Sequence, residues 1–98
     1  MSTFIYRLGM ATGQDQDERR AYLRALGGNL KIERVKRGLS QEEFADLVGL
    51  HRTFYGLIER GQRGFNIVEL PGIARGLGVR QADLLPEVTA PPVEPASA

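Results

Sequence analysis

The chain contains no cysteine, no tryptophan and only one histidine, His51. Without cysteine there is no disulfide framework and no thiol nucleophile, and one histidine without a second histidine or a cysteine supplies no metal-ligand set. No run approaches the roughly 18 apolar residues that a membrane span needs, and no basic-then-apolar leader opens the sequence. These absences lead to the expectation of a cytoplasmic protein that engages no membrane. Proline is also scarce outside one place, because four of the five prolines fall in the last thirteen residues.

Catalytic signals are missing as well. No nucleophile, base and orienting group can be drawn together, and there is no phosphate-binding loop. Gly76, Leu77 and Gly78 give half of a dinucleotide fingerprint, but they end a helical pattern instead of following a strand and read as a stop. The reading is therefore of a protein that is not an enzyme, with no catalytic residue, no metal and no cofactor.

The net charge of +1 averages over segments of opposite character. Residues 19–85 hold twelve Lys and Arg against seven Asp and Glu, a local net of +5, whereas both ends are acidic. A basic middle is compatible with a polyanion partner, since cationic surface attracts phosphates and releases their counterions. It is equally compatible with an ordinary solvated surface.

Three regions follow. Residues 1–16 form an N-terminal arm with apolar residues Phe4, Ile5, Tyr6 and Leu8 but no sustained period. Residues 17–85 form one domain, and residues 86–98 a Pro/Ala-rich tail expected to be disordered. Within the domain apolar residues recur every three or four positions, which predicts an all-α, compact, five-helix fold. The first helix is expected over about 17–37, with Leu23, Leu26, Leu30 and Arg34 on one stripe and a weak point at Gly27 and Gly28.

The second has the clearest start, the S-x-x-E capping box of Ser40 and Glu43, and is expected over 41–48 with Phe44, Leu47 and Val48 buried and Gly49 as its exit. The third runs from Arg52 to Arg60. A fourth is expected over about 66–77, burying Ile67, Leu70, Ile73, Ala74 and Leu77; Pro71 requires either a kink or a regular helix starting at Leu70. A short fifth covers 81–85.

Two short helices joined by Gly49, Leu50 and His51 have the spacing of a helix-turn-helix, in which the second helix projects into a DNA major groove. Its outward start carries His51, Arg52 and Thr53, then Phe54 and Gly56. Arg can bond guanine O6 and N7 together, and Thr can bond a base or phosphate and touch a thymine methyl. Gln41 at the first turn of the second helix can present its side chain and backbone amide to a phosphate. Arg60 and Arg63 are placed to hold the flanking backbone, and His51 reads as a helix cap or phosphate contact.

The segment LSQEEFADLVGLHRTFYGLIERGQRG, with LGVRQADLL after it, resembles the Cro and phage-repressor (Xre-type) helix-turn-helix family over about residues 22–85. The run His51-Arg52-Thr53 with Glu59-Arg60 is similar to its restriction-modification controller subgroup. The resemblance implies a lambda-repressor-like domain in which Gln41 meets phosphate, Arg52, Thr53, Gly56 and Leu57 face base edges, and Arg63 meets the backbone or minor groove. It also implies a partly buried ion pair between Arg34 and Glu59. Phe54-Tyr55 stands where the subgroup has Tyr then Ile, and Gly56 replaces an often polar residue, so base readout falls more heavily on Arg52 and Thr53.

The partner so implied is double-stranded DNA, bound by a homodimer on a pseudo-palindromic operator, with the function of a transcriptional regulator acting as a repressor. The dimer surface is expected near the fifth helix and the loop before the fourth, with Leu84 and Leu85 as candidates. The alternative reading is a module with a protein partner, such as the antitoxin of a toxin-antitoxin pair, to which the acidic ends and the apolar residues of the arm are suited.

Overall fold

The computed structural model describes residues 13–88, in which the backbone is helix, turn and loop with no strand. The five α-helices are α1 (Gly13–Lys36), α2 (Gln41–Val48), α3 (Arg52–Glu59), α4 (Leu70–Leu77) and α5 (Gln81–Leu84). A 3-10 turn over Ile67–Glu69 leads directly into α4. The arm residues Phe4, Ile5, Tyr6 and Leu8 and most of the proline-rich tail lie outside the described residues, and the chain is already helical at Gly13.

α1 runs unbroken through Gly27 and Gly28, where the propensity argument expects a weak point. The tertiary reason lies at Gly27. A Cβ built there would stand 2.5 Å from the Glu59 carbonyl oxygen and against that of Ile58, so α1 and α3 cross backbone to backbone at this residue. Gly28, by contrast, faces open space. One glycine thus allows the crossing, and packing of its neighbours Leu26 and Leu30 into the core outweighs the propensity cost of both.

α2 has the boundaries that its capping box encodes. Ser40 Oγ accepts from the Glu43 amide at 3.0 Å, and Glu43 Oε1 accepts from the Ser40 amide at 2.8 Å. These bonds from Ser40 hold the Glu43 carboxyl below the usual range. At the other end Gly49 takes φ 77°, which lets the Leu50 amide return to the Ala45 carbonyl at 2.9 Å and redirects the chain into α3. The stripe that α2 buries is Phe44, Ala45 and Val48. Leu47, expected inside, is 43 % exposed, because its place in the helical turn puts it on the outer margin of that stripe.

Pro71 decides how α4 begins. Asn66 caps the 3-10 turn through a bond from the Val68 amide at 3.1 Å, and the regular helix starts at Leu70 with the proline in its first turn, where its missing N–H costs no intrahelical bond. The change of winding turns Ile67 outward, so this residue, expected in the core, is 68 % exposed and Val68 76 % exposed. Leu70, Ile73, Ala74 and Leu77 form the inward face.

Beneath these helices the core gathers Leu30, Phe44, Tyr55, Ile58, Ile73 and Leu84, with the Phe44 and Tyr55 rings 5.0 Å apart and tilted by 44°. Leu84 is fully buried in this core, and its carbonyl accepts from Asn29 Nδ2 of α1 at 3.0 Å. It is therefore withdrawn from any dimer surface, while Leu85 is half-buried. Arg37 joins the end of α1 to the end of α4, donating to the Leu77 carbonyl at 2.7 Å.

The two adjacent glycines of α1 give a paired prediction. Gly27→Ala forces a methyl into the α3 carbonyls and should destabilise the domain by about 2 kcal/mol, whereas Gly28→Ala should stabilise it by about 0.5–1 kcal/mol through helix propensity. Urea denaturation of both variants checks this, and equal effects would mean that the backbone crossing is not tight.

Candidate nucleic-acid interface

The short turn between α2 and α3 brings the first turn of α2 against the outer face of α3 and leaves an open concavity between them. Gln41, Arg52, Thr53, Gly56 and Arg60 line it, with Arg34, Ser40 and Glu42 completing its wall. His51, Arg52 and Thr53 are exposed at the start of α3. His51 caps the helix, its Nδ1 accepting from the Thr53 amide at 3.1 Å, which fixes the first turn on which Arg52 and Thr53 are carried.

Arg52 and Arg60 point into the same space from opposite ends of α3. Arg52 Nη1 lies 3.4 Å from Glu42 Oε2, a pair whose side chains are 66 % and 64 % exposed and so contributes at most about 1 kcal/mol. The Arg60 guanidinium lies over Gly56, with Nη1 3.2 Å from where a Cβ would stand, and Gly56 itself is buried. Leu57 is half-buried, and neither it nor His51 nor Arg63 lines the concavity. Arg63 packs its guanidinium on the Phe54 ring, 4.4 Å from the centroid, at the edge of the motif.

Behind this surface Arg34 of α1 meets Glu59 of α3 in a bidentate pair. Arg34 Nη2 lies 2.7 Å from Glu59 Oε1 and Nε 3.1 Å from Oε2, while Nη1 donates to the Leu39 carbonyl at 2.9 Å. The side chains are 17 % and 5 % exposed. Burial by itself raises the Glu59 carboxyl, but the bonds from Arg34, with smaller help from Tyr55 and Gln41, outweigh it and hold the group below the usual carboxylate range. The Tyr55 hydroxyl is buried beside the pair without a hydrogen bond of good geometry. Burial and the neighbouring Glu59 carboxylate push its phenol above the ordinary range.

Among the described residues no cluster of carboxylates and histidine could hold a metal ion, and no helix is long and apolar enough to cross a membrane. What the concavity offers at its open side is the guanidinium groups of Arg52 and Arg60, the hydroxyls of Ser40 and Thr53 and the Gln41 amide side chain, beside the Glu42 carboxylate. That is the chemistry of phosphate contact and base-edge reading.

The family model for the helix-turn-helix matches residues 30–84, more than half of the chain. The chain belongs to the helix-turn-helix family. As a member of that family it is a DNA-binding transcription regulator, in a group of regulators and not of enzymes. Its curated relatives include control protein C.MunI from Mycoplasma sp, 40 % identical over 58 residues that cover 59 % of this chain and 78 % of the relative. Control protein C.BamHI from Bacillus amyloliquefaciens is 40 % identical over 55 residues, 56 % of this chain and 68 % of the relative. Among solved structures, the crystal structure of the restriction-modification controller protein C.AhdI from Aeromonas hydrophila is similar with a TM-score of 0.62 and 38 % identity, over 66 % of this chain and 98 % of that one.

Three residues of the helix-turn-helix concavity escape the sequence reading as groove residues, Arg34, Ser40 and Glu42. Arg34 reads there only as half of an ion pair and Ser40 only as a helix cap. The capping box accounts for Ser40, but the ten residues separating Glu42 from Arg52 gave no sign that the turn would bring them together.

Removal of Arg34 leaves the Glu59 carboxylate buried and uncompensated, so Arg34→Ala should lose about 3 kcal/mol of stability at pH 7. Because the Glu59 carboxyl is lower in the folded chain than in the unfolded one, its contribution is present above about pH 4.3 and is lost as pH falls below that. Urea titrations of wild type and Glu59→Gln should therefore differ most near neutrality and converge in acid. In a double-mutant cycle, Arg34→Ala and Glu59→Ala should be clearly less than additive, and additivity would show that the pair does not couple α1 to α3.

Proposed function

We propose that the chain is a homodimeric repressor that occupies a pseudo-palindromic operator. The carrying observation is that Arg52 and Thr53, exposed at the start of α3, share one concavity with Gln41 at the N-terminus of α2. In this reading α3 enters the major groove, and Arg52 and Thr53 contact base edges with Gly56 and Leu57 close to them. Gln41 and His51 meet phosphate at the two helix starts, and Arg60 and Arg63 lie along the flank. The relatives are control proteins, one of them of a restriction-modification system, and we carry that regulatory setting to this chain as part of the proposal.

The dimer brings two copies of α3 about one DNA turn, roughly 34 Å, apart. The surface that supports it is the exposed apolar pair Ile67 and Val68 in the loop before α4, and its occupant is a second copy of this chain. Repression then follows from occupancy, with Arg and Lys supplying an affinity that falls steeply with salt. The alternative antitoxin-type reading rests on the acidic ends and on apolar arm residues that lie outside the described residues, and no observation favours it.

Selection of bound duplexes from a random library at about 150 mM salt tests this reading. Wild type should enrich a two-fold-related motif, and Arg52→Ala should lose preference at defined positions by about 1–3 kcal/mol per base pair. Weak binding without a motif, vanishing as salt rises, would reduce the basic face to nonspecific attraction.

A second measurement addresses the dimer. Equilibrium sedimentation of wild type and of Ile67→Lys/Val68→Lys should show a dimer in the first and a shift to monomer in the second, with the operator affinity of the variant down at least about tenfold. A wild type that stays monomeric at high micromolar concentration would remove the dimer from the proposal.

A further inference from the structure

We propose that Arg60 is a base-reading, specificity-determining residue, and that Gly56 exists in this chain to let it read. The proposal rests on the DNA-binding reading above but assigns Arg60 a different task from the flanking-backbone contact that its position after α3 suggests. Four observations combine. Arg52, Thr53, Gly56 and Arg60 stand at helical spacing along the outward face of α3 and line the same concavity. The Arg60 side chain runs back toward the N-terminus of the helix, where long helical side chains ordinarily lean, and its guanidinium covers Gly56.

The space it fills is the space a side chain at position 56 would take. A Cβ there would meet Arg60 Nη1 at 3.2 Å and Nη2 at 3.7 Å, so even alanine makes the guanidinium give by a few tenths of an ångström, and a longer side chain would compete for the space it fills. Finally, the nearby carboxylates are committed elsewhere. Glu59 is held by Arg34 and Glu42 faces Arg52, and among the described residues no acid pairs with Arg60. Its planar fork stays available on the face that enters the groove, and the ligand that fits a free fork there is the O6 and N7 edge of guanine.

Gly56 lies about 6 Å along the helix from Arg52, at a rise of 1.5 Å per residue. The base pair read by Arg60 therefore falls within about two steps of those read by Arg52, at 3.4 Å per step. A pure phosphate contact predicts something else, a uniform loss of affinity on every duplex with a shallower salt slope.

The test is duplex selection with wild type, Arg60→Ala and Gly56→Ala, each checked for thermal stability. Arg60→Ala should lose guanine preference at one position per half-site by about tenfold to a hundredfold, leaving the positions lost in Arg52→Ala intact. Gly56→Ala should weaken the same position, by less than Arg60→Ala does, because the methyl shifts the guanidinium without removing it, while the variant folds at least as stably as wild type, since alanine is the better helix former. Equal weakening on all duplexes by Arg60→Ala, with every base preference retained, would overturn the assignment and make Arg60 a backbone contact. An intact motif in Gly56→Ala would likewise overturn the role of the glycine. Failure of wild type to enrich any motif would overturn the DNA-reading proposal itself, and so is distinguishable from failure of this one.

Discussion

The crossing of α1 and α3 is where the rest of the structure is anchored. At Gly27 two backbones come into direct contact, and about two turns further along α1 Arg34 closes on Glu59 with a bidentate pair while also bonding the Leu39 carbonyl in the loop to α2. One guanidinium thus joins the long helix, the loop and the helix whose first turn exposes Arg52 and Thr53. A buried charge pair is not by itself a strong source of stability, since desolvation offsets much of its attraction. Its geometric effect is larger. A fork that matches a carboxylate in one orientation sets the rotation of α3 about its axis, and that rotation decides which residues line the concavity.

This arrangement also sorts the arginines of the motif by the partner each one has. Arg34 is committed to Glu59 and serves the fold. Arg52 is held only by an exposed pair with Glu42, weak enough to open when a stronger hydrogen-bond acceptor arrives. Arg63 rests on the Phe54 ring, which presents an apolar face to it where a tyrosine would carry a hydroxyl. Arg60 rests on the bare backbone of Gly56. The local net charge therefore understates the organisation, because similar cations differ in how firmly they are held.

Legibility in the sequence followed the range of the interaction. The ends of α2 are encoded within four residues at each side, by Ser40 with Glu43 and by Gly49, and such short-range chemistry reads correctly. The start of α4 was confined to two options by Pro71, and the chain adopts the one that keeps the proline in the first turn. Leu47 and Ile67 misled because hydrophobicity marks residues that can be buried, whereas the angle of each helix against its neighbours decides which are. The same holds for Leu84, whose place on a short helix looked open to a partner but is sealed by α1.

By itself the sequence determined the all-helical class, the limits of the two helices of the motif, the residue types on offer at the start of α3, and the family. These rest on local periodicity, caps and the identity of side chains, all of which are properties of neighbours along the chain. Only the tertiary structure decided that Gly27 is a contact and not a break, that Glu42 reaches Arg52, and that Arg60 folds back over Gly56. Each depends on the distance between atoms of different turns or different helices, and that distance is fixed when side chains and backbones pack together.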